Sequence, residues 1–99
     1  MVRRAKPHDG AALFLLARTF STSFTVEQSA FERAFFDLLT YPDAFLSVAE
    51  VEGKVAGYLL GFDHPTFFAN GRVAWAEEIM VEEAHRRQGI ARNLMAAFE

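Results

Sequence analysis

Two β-forming runs, Ala44 to Val51 and Val55 to Phe62, are separated only by Glu52-Gly53-Lys54, and that spacing constrains the fold more than any other feature of the chain. Three residues cannot carry a crossover, so the runs must pair antiparallel around a tight turn. A lone hairpin is marginal in water, so further elements have to extend it and cover its apolar faces. Gly57 and Gly61 in the second run leave gaps where another backbone or a helix can approach closely.

Those elements are legible on both sides. Val2 to Ala5 reads as a short opening strand. Pro7-His8-Asp9-Gly10 then breaks the chain, and Asp9 is placed to cap a helix with Ala12, Leu13, Leu16, Ala17 and Phe20 on one face. Thr25-Val26-Glu27-Gln28 has capping-box spacing and opens a second helix, whose apolar stripe is Phe31, Ala34, Phe35, Leu38 and Leu39. Phe36 is expected to join Phe31 and Phe35 in the core. Tyr41-Pro42-Asp43 ends this helix, because a residue before proline is pushed out of the helical region. Downstream, His64-Pro65 and Asn70-Gly71 bracket a loop containing Phe67 and Phe68, and Val73 to Val81 forms a further strand. Gln88 to Glu99 reads as a helix with Ile90, Leu94, Ala97 and Phe98 inward. The order strand, helix, helix, strand, strand, strand, helix is that of an α/β or α+β domain, a mixed central sheet flanked by helices. No Gly, Asn or Pro closes the last helix, so residues 1–99 are expected to be a single domain truncated before its C-terminal strands. The strand edge left open by that truncation is expected to need cover, for which a homodimer is one solution.

Ninety-nine residues bound the chain to one domain. The absence of cysteine excludes a disulfide framework, a thiolate metal site and a Cys nucleophile, and fits a reducing compartment. His8, His64 and His85 are scattered without the paired spacing of a zinc helix, so no metal is expected. A formal net charge of −3 removes any global attraction for nucleic acid or anionic lipid, so neither nucleic acid nor membrane is an expected partner and an anion site must be local. The apolar stretch after Met1 to Pro7 is interrupted by His8, Asp9 and Arg18, unlike a signal-peptide core, and no run approaches the ~20 apolar residues of a membrane span. A cytoplasmic location is the expectation.

The local anion site is expected between Ile79 and Met95. A buried strand ending at Val81 passes through a short turn into a helix whose first turn offers unpaired N–H groups and the positive end of its dipole. Gly89 lets the backbone approach a ligand, Ala91 keeps the next turn small, and Arg86, Arg87 and Arg92 add positive charge. The ordinary use of such arginines is a salt-bridged surface, here opposite Glu82 and Glu83. The three glycines of a dinucleotide-binding turn and the Gly-Lys-Ser/Thr of a P-loop are absent. Arg86-Arg87-Gln88-Gly89-Ile90-Ala91 instead resembles the acetyl-CoA loop of the GNAT superfamily of N-acetyltransferases, Arg/Gln-x-x-Gly-x-Gly/Ala, with Ala in the last place.

The resemblance implies that the loop Arg86, Arg87, Gln88, Gly89, Ile90 and Ala91 binds acetyl-CoA, its amides from Arg87 to Ala91 holding the pyrophosphate. The backbone of Met80 and Val81 would pair with the pantetheine amides as an added strand does. It implies direct transfer of acetyl to a primary amine of a small molecule or polypeptide, and the alternative is a non-catalytic CoA-binding or protein-interaction module with the same fold. Glu77 and Glu78 lie in the strand that supplies the catalytic base, while the Tyr that serves as general acid belongs to a helix past Glu99. Neither Tyr41 nor Tyr58 matches that place. The base has its own physical ground: an ammonium must lose a proton before its nitrogen attacks, and a partly desolvated carboxylate can take it. Strand residues alternate between faces, so Glu77 and Glu78 share a cleft only across a bulge; Glu78 is slightly favoured, and an exposed strand face is the other use of both. Residues 20–24 lie where family members often place acceptor contacts, and Trp75 with Phe67-Phe68 either lines an acceptor pocket or completes the core.

Overall fold

The computed structural model describes residues 1–20, 25–67 and 71–98, apart from the side chain of Phe20. Strands β1 (Val2–Arg4), β2 (Ala44–Val51), β3 (Lys54–Thr66) and β4 (Gly71–Val81) form one sheet in the order β1-β2-β3-β4. Helices α1 (Gly10–Phe20), α2 (Gln28–Thr40) and α3 (Ile90–Phe98) flank it, with 3-10 turns at Pro7–Asp9 and Glu83–His85. All three pairings are antiparallel, so the parallel pairing of a mixed sheet is not among the described strands.

The hairpin forms as its spacing demands. Val51 pairs with Lys54 across Glu52 (φ 54°) and Gly53 (φ 79°), a two-residue turn with both central residues left-handed, which matches the twist of the flanking strands. Beyond Phe62, β3 continues through His64-Pro65 where the sequence suggests a loop. The Asp63 N–H still donates to the Asp43 carbonyl, just before β2 begins, so Pro65, two residues on, turns its missing N–H toward a side where β2 has no residue left to bond. A proline is tolerated at such a place, and β4 starts correspondingly early.

One face of the sheet packs Leu46, Val48, Tyr58, Leu60 and Met80 under Leu13 and Leu16 of α1, with half-buried Phe31, Phe35 and Leu38 of α2 around them. The opposite face packs Ala49, Ala56 and Leu59 under Ile90 and Leu94 of α3. Met95 and Phe98 complete that contact, and Ala97, expected inward, is exposed. The two strand glycines are the gaps the helix needs. A Cβ on Gly61 would sit 2.5 Å from the Phe98 ring, and one on Gly57 would sit 2.8 Å from the Met80 carbonyl and 3.4 Å from Ile90.

Three expectations about the helices are corrected. Helix α2 opens at Gln28 with Glu27 in the cap position and no side-chain cap bond, so the Thr25 box does not form. Its phenylalanines divide: Phe31 stacks on Phe35 and tilts against Phe14, whereas Phe36, one residue and about 100° further round the helix, is 69% exposed, and Ala34 is exposed too. Asp9 lies in the turn before α1, and its carboxylate points back to the Lys6 N–H and to Arg3 rather than forward into the helix. No described helix is long and apolar enough to cross a membrane.

Candidate active site

Strand β4 has a partner on one side only among the described strands. The Glu82 N–H donates to the Ala56 carbonyl, and the Met80 carbonyl lies against Gly57, so Tyr58–Met80 and Leu60–Glu78 are the hydrogen-bonded pairs of this ladder. Ile79 and Val81 fall between them and present their N–H and C=O groups to the open edge. Met80, expected to offer its backbone there, is turned toward β3 instead. The Val81 carbonyl is already engaged, accepting from Arg86 Nε at 3.1 Å.

That bond shapes the loop. Arg86 reaches back along the chain to Val81, and Arg87 follows in the left-handed region at φ 68°. Gly89, at φ 79°, turns the chain into α3, and its carbonyl accepts the first helical bond, from Asn93 N–H at 3.0 Å. The N–H groups of Ile90, Ala91 and Arg92 are therefore the open donors of the helix start, and none finds another partner among the described residues. Ile90 buries its side chain beneath the helix and offers only its backbone, while Arg87, Gln88, Ala91 and Arg92 are exposed. Nothing lies within 4 Å of where a Gly89 Cβ would be. Among the described residues, Arg86, Arg87 and Arg92 make no ion pair with Glu82 or Glu83, so the salt-bridged surface is not formed. The whole is a run of backbone donors with the guanidinium groups of Arg87 and Arg92, which have no partner among the described residues, beside it, an arrangement suited to an anion.

Further back along β4, Leu60 pairs with Glu78 and Gly61 with Ala76, which leaves Glu77 as the extra residue of a β-bulge. Trp75, opposite Phe62, faces α1 and α2, and alternation from it places Glu77 on that face. Counting back from Met80 places Glu78 there too. The bulge thus puts both carboxylates on one side of the sheet. Glu77 is exposed and makes no hydrogen bond or ion pair with the described residues; Glu78 is half-buried and accepts from the Tyr58 hydroxyl at 2.8 Å. Burial, and then the carboxylate beside it, push the Tyr58 phenol well above its ordinary range, so it stays protonated and donating.

Residues 12–99 match the model of the acetyltransferase (GNAT) family. The chain belongs to that family. Its fold is also that of several solved structures. Aminoglycoside antibiotic 6'-N-acetyltransferase from Acinetobacter haemolyticus is 20% identical with a TM-score of 0.84, the match covering 99% of this chain and 68% of that one. Glucosamine-6-phosphate N-acetyltransferase from Arabidopsis thaliana is 20% identical with a TM-score of 0.82, covering 99% and 70%. Ribosomal-protein-alanine N-acetyltransferase from Brucella melitensis biovar Abortus 2308 is 22% identical with a TM-score of 0.77, covering 98% and 67%. Comparison with curated protein sequences found no match.

In this GNAT chain the residue that sequence reasoning passed over is Tyr58. Its only signal is a buried phenol that must find a partner, and the partner is set by the β3–β4 register. Trp75, 60% exposed, and Phe67, fully exposed, do not complete the core. The expectations for residues 21–24, Phe68 and Asn70 lie outside the described residues. Among those described, no group of His, Asp and Glu is gathered closely enough to hold a metal. An apolar groove of about 430 Å3 between α1 and α2, lined by Phe14, Leu15, Phe31 and Phe35, shares no residue with the loop or the bulge.

Proposed function

We propose that the chain transfers acetyl from acetyl-CoA to a primary amine of a small molecule or polypeptide, directly, within a ternary complex. The observation that carries this reading is the cradle at the start of α3, where the N–H groups of Ile90, Ala91 and Arg92 have no partner among the described residues and nothing lies within 4 Å of where a Gly89 Cβ would be. A pyrophosphate fits it, held by backbone donors and by Arg87 and Arg92. The open N–H and C=O of Ile79 and the N–H of Val81, whose carbonyl is held by Arg86, would pair with the pantetheine amides, leading the thioester along β4 toward the bulge.

At the bulge, Glu77 and Glu78 supply the negative charge that draws an ammonium and the base that activates it. One carboxylate takes a proton from the ammonium, and the freed nitrogen lone pair attacks the thioester carbonyl carbon. The C–S bond then breaks, the sulfur leaves with the electron pair and takes up a proton, and the nitrogen loses its second proton to give the amide. No enzyme nucleophile is needed.

Calorimetry with acetyl-CoA followed by a thiol-release assay over a panel of amines tests the reading. Saturable binding together with amine-dependent release of free CoA thiol is the expected result. Binding without release on any amine would leave a CoA-binding module, and no binding to folded protein would reject the cradle.

A further inference from the structure

We propose that Tyr58 is a positioning residue whose hydroxyl fixes Glu78, rather than Glu77, as the carboxylate that accepts the amine proton. The inference rests on the transferase reading above and assigns the base within it.

Tyr58 and Glu78 sit on adjacent strands, two residues out of register, Tyr58 opposite Met80 and Glu78 opposite Leu60. The hydroxyl donates to Glu78 Oε1 at 2.8 Å. The phenol cannot turn elsewhere, because the ring is 4% exposed and packed with Val48, Leu60 and Met80. A buried hydroxyl without an acceptor is costly, so the fold itself enforces the bond. From β3 the titratable group facing Glu78 is Tyr58, and from β4 it is Glu77. No Lys, Arg or His of α1, α2 or any other described element comes within 4 Å of Glu78. The phenol is therefore the one described group that orients this carboxylate. With Oε1 held, Oε2 is presented in a single orientation, which is what proton transfer from a bound amine requires. Glu77 is exposed and has no such anchor among the described residues.

The test uses the full chain with two readouts: the chemical shift of the Glu78 side-chain carboxyl carbon at a single pH, assigned by its disappearance in Glu78→Gln, and the kinetics of amine-dependent thiol release, read as kcat, KM and the acid limb of kcat/KM. Tyr58→Phe keeps the ring and removes the donor. The phenol is the donor that holds the carboxylate, so in Tyr58→Phe the Glu78 carboxyl resonance moves and the carboxylate loses its fixed orientation. At saturating pH kcat falls about tenfold through lost orientation, while KM for acetyl-CoA is unchanged. The acid limb persists in Glu77→Gln and is lost in Glu78→Gln. Glu78→Asp, which withdraws the carboxylate from the phenol without touching the core, reproduces the fall in kcat and stands in should Tyr58→Phe fold poorly. The proposal is overturned if kcat in Tyr58→Phe and Glu78→Asp equals that of wild type, or if the acid limb depends on Glu77 instead. A wild-type chain that releases no thiol with any amine, while its Glu78 carboxyl resonance still moves in Tyr58→Phe, rejects the transferase reading separately, and the catalytic use of the pair with it.

Discussion

Both carboxylate oxygens of Asp9 accept from the guanidinium of Arg3, Oδ2 at 2.8 Å and Oδ1 at 2.9 Å. Asp9 is 2% exposed and also takes the Lys6 N–H, while Arg3 Nε reaches Glu50 on β2. One cation therefore ties β1, β2 and the turn before α1 together. Removing one partner of a buried pair leaves the other uncompensated, which costs roughly 3–5 kcal/mol when both are fully enclosed. Glu50 still faces Arg3, whose side chain keeps some solvent access, so Asp9→Asn is expected to destabilise the fold by about 2 kcal/mol. Urea unfolding followed by circular dichroism measures it, and a midpoint equal to wild type would mean the pair contributes nothing.

The same pair sets an acid dependence. Arg3, by hydrogen bonding, holds the Asp9 carboxyl below its ordinary range, against burial, which pushes it up. A carboxyl with a lowered folded-state pKa takes up its proton more readily in the unfolded chain. Its contribution is therefore complete above the unfolded value near ~4 and is lost as pH falls through the lower folded one. Wild-type Tm is expected to fall more steeply below about pH 4 than that of Asp9→Asn, the two curves converging in acid. Parallel curves would assign the acid sensitivity to other carboxylates.

How far this arrangement is legible in the sequence depends on whether a feature is local. The turn at Glu52-Gly53 is local, and so are the glycines that admit α3 and the Gly-bearing entry to that helix. Pro65 misleads because its tolerance depends on β2 having ended beside it, a fact of another strand. Thr25 misleads because a cap competes with where the tertiary contacts start the helix, and Phe36 because a run of aromatics does not say which one faces away. The Glu77-Glu78 doublet in an otherwise apolar strand hints at a bulge, and the ambiguity it leaves is resolved by pairing with Leu60 and Gly61. Tyr58 needs that same register before its partner exists at all. The candidate site is thus readable where it is made of consecutive backbone, at Arg86 to Ala91, and hidden where it is made across strands.

Gly61 exists for Phe98. An added Cβ would meet the ring at 2.5 and 2.6 Å and the Trp75 carbonyl at 3.0 Å, and the aromatic ring is the part that can move. Gly61→Ala is expected to cost about 1–3 kcal/mol by overpacking the α3 face. Phe98→Leu in the same chain should recover part of that loss, giving a coupling energy above about 0.5 kcal/mol. Additive effects in the double-mutant cycle would show that the helix is not seated on this glycine.

Gly53 and Gly89 share a φ of 79° and open space around the missing Cβ, so they differ only in where they lie. Replacing either with Ala forces an L side chain into the left-handed region, at about 1 kcal/mol each in thermal or chemical unfolding. Only Gly89 borders the cradle, so Gly89→Ala is expected to weaken acetyl-CoA binding by about tenfold or more, roughly 1.4 kcal/mol, and Gly53→Ala to leave it unchanged. Gly89→Asp separates stability from binding further. Asp tolerates the left-handed conformation, is favoured at a helix cap and interacts well with the dipole, so this variant should be more stable than Gly89→Ala. Its carboxylate also claims the free N–H groups and repels a phosphate, so it should bind acetyl-CoA worst of the three. Calorimetry alongside melting curves reads both quantities, and a Gly89→Asp chain that binds acetyl-CoA as wild type does would place the pyrophosphate somewhere other than the start of α3.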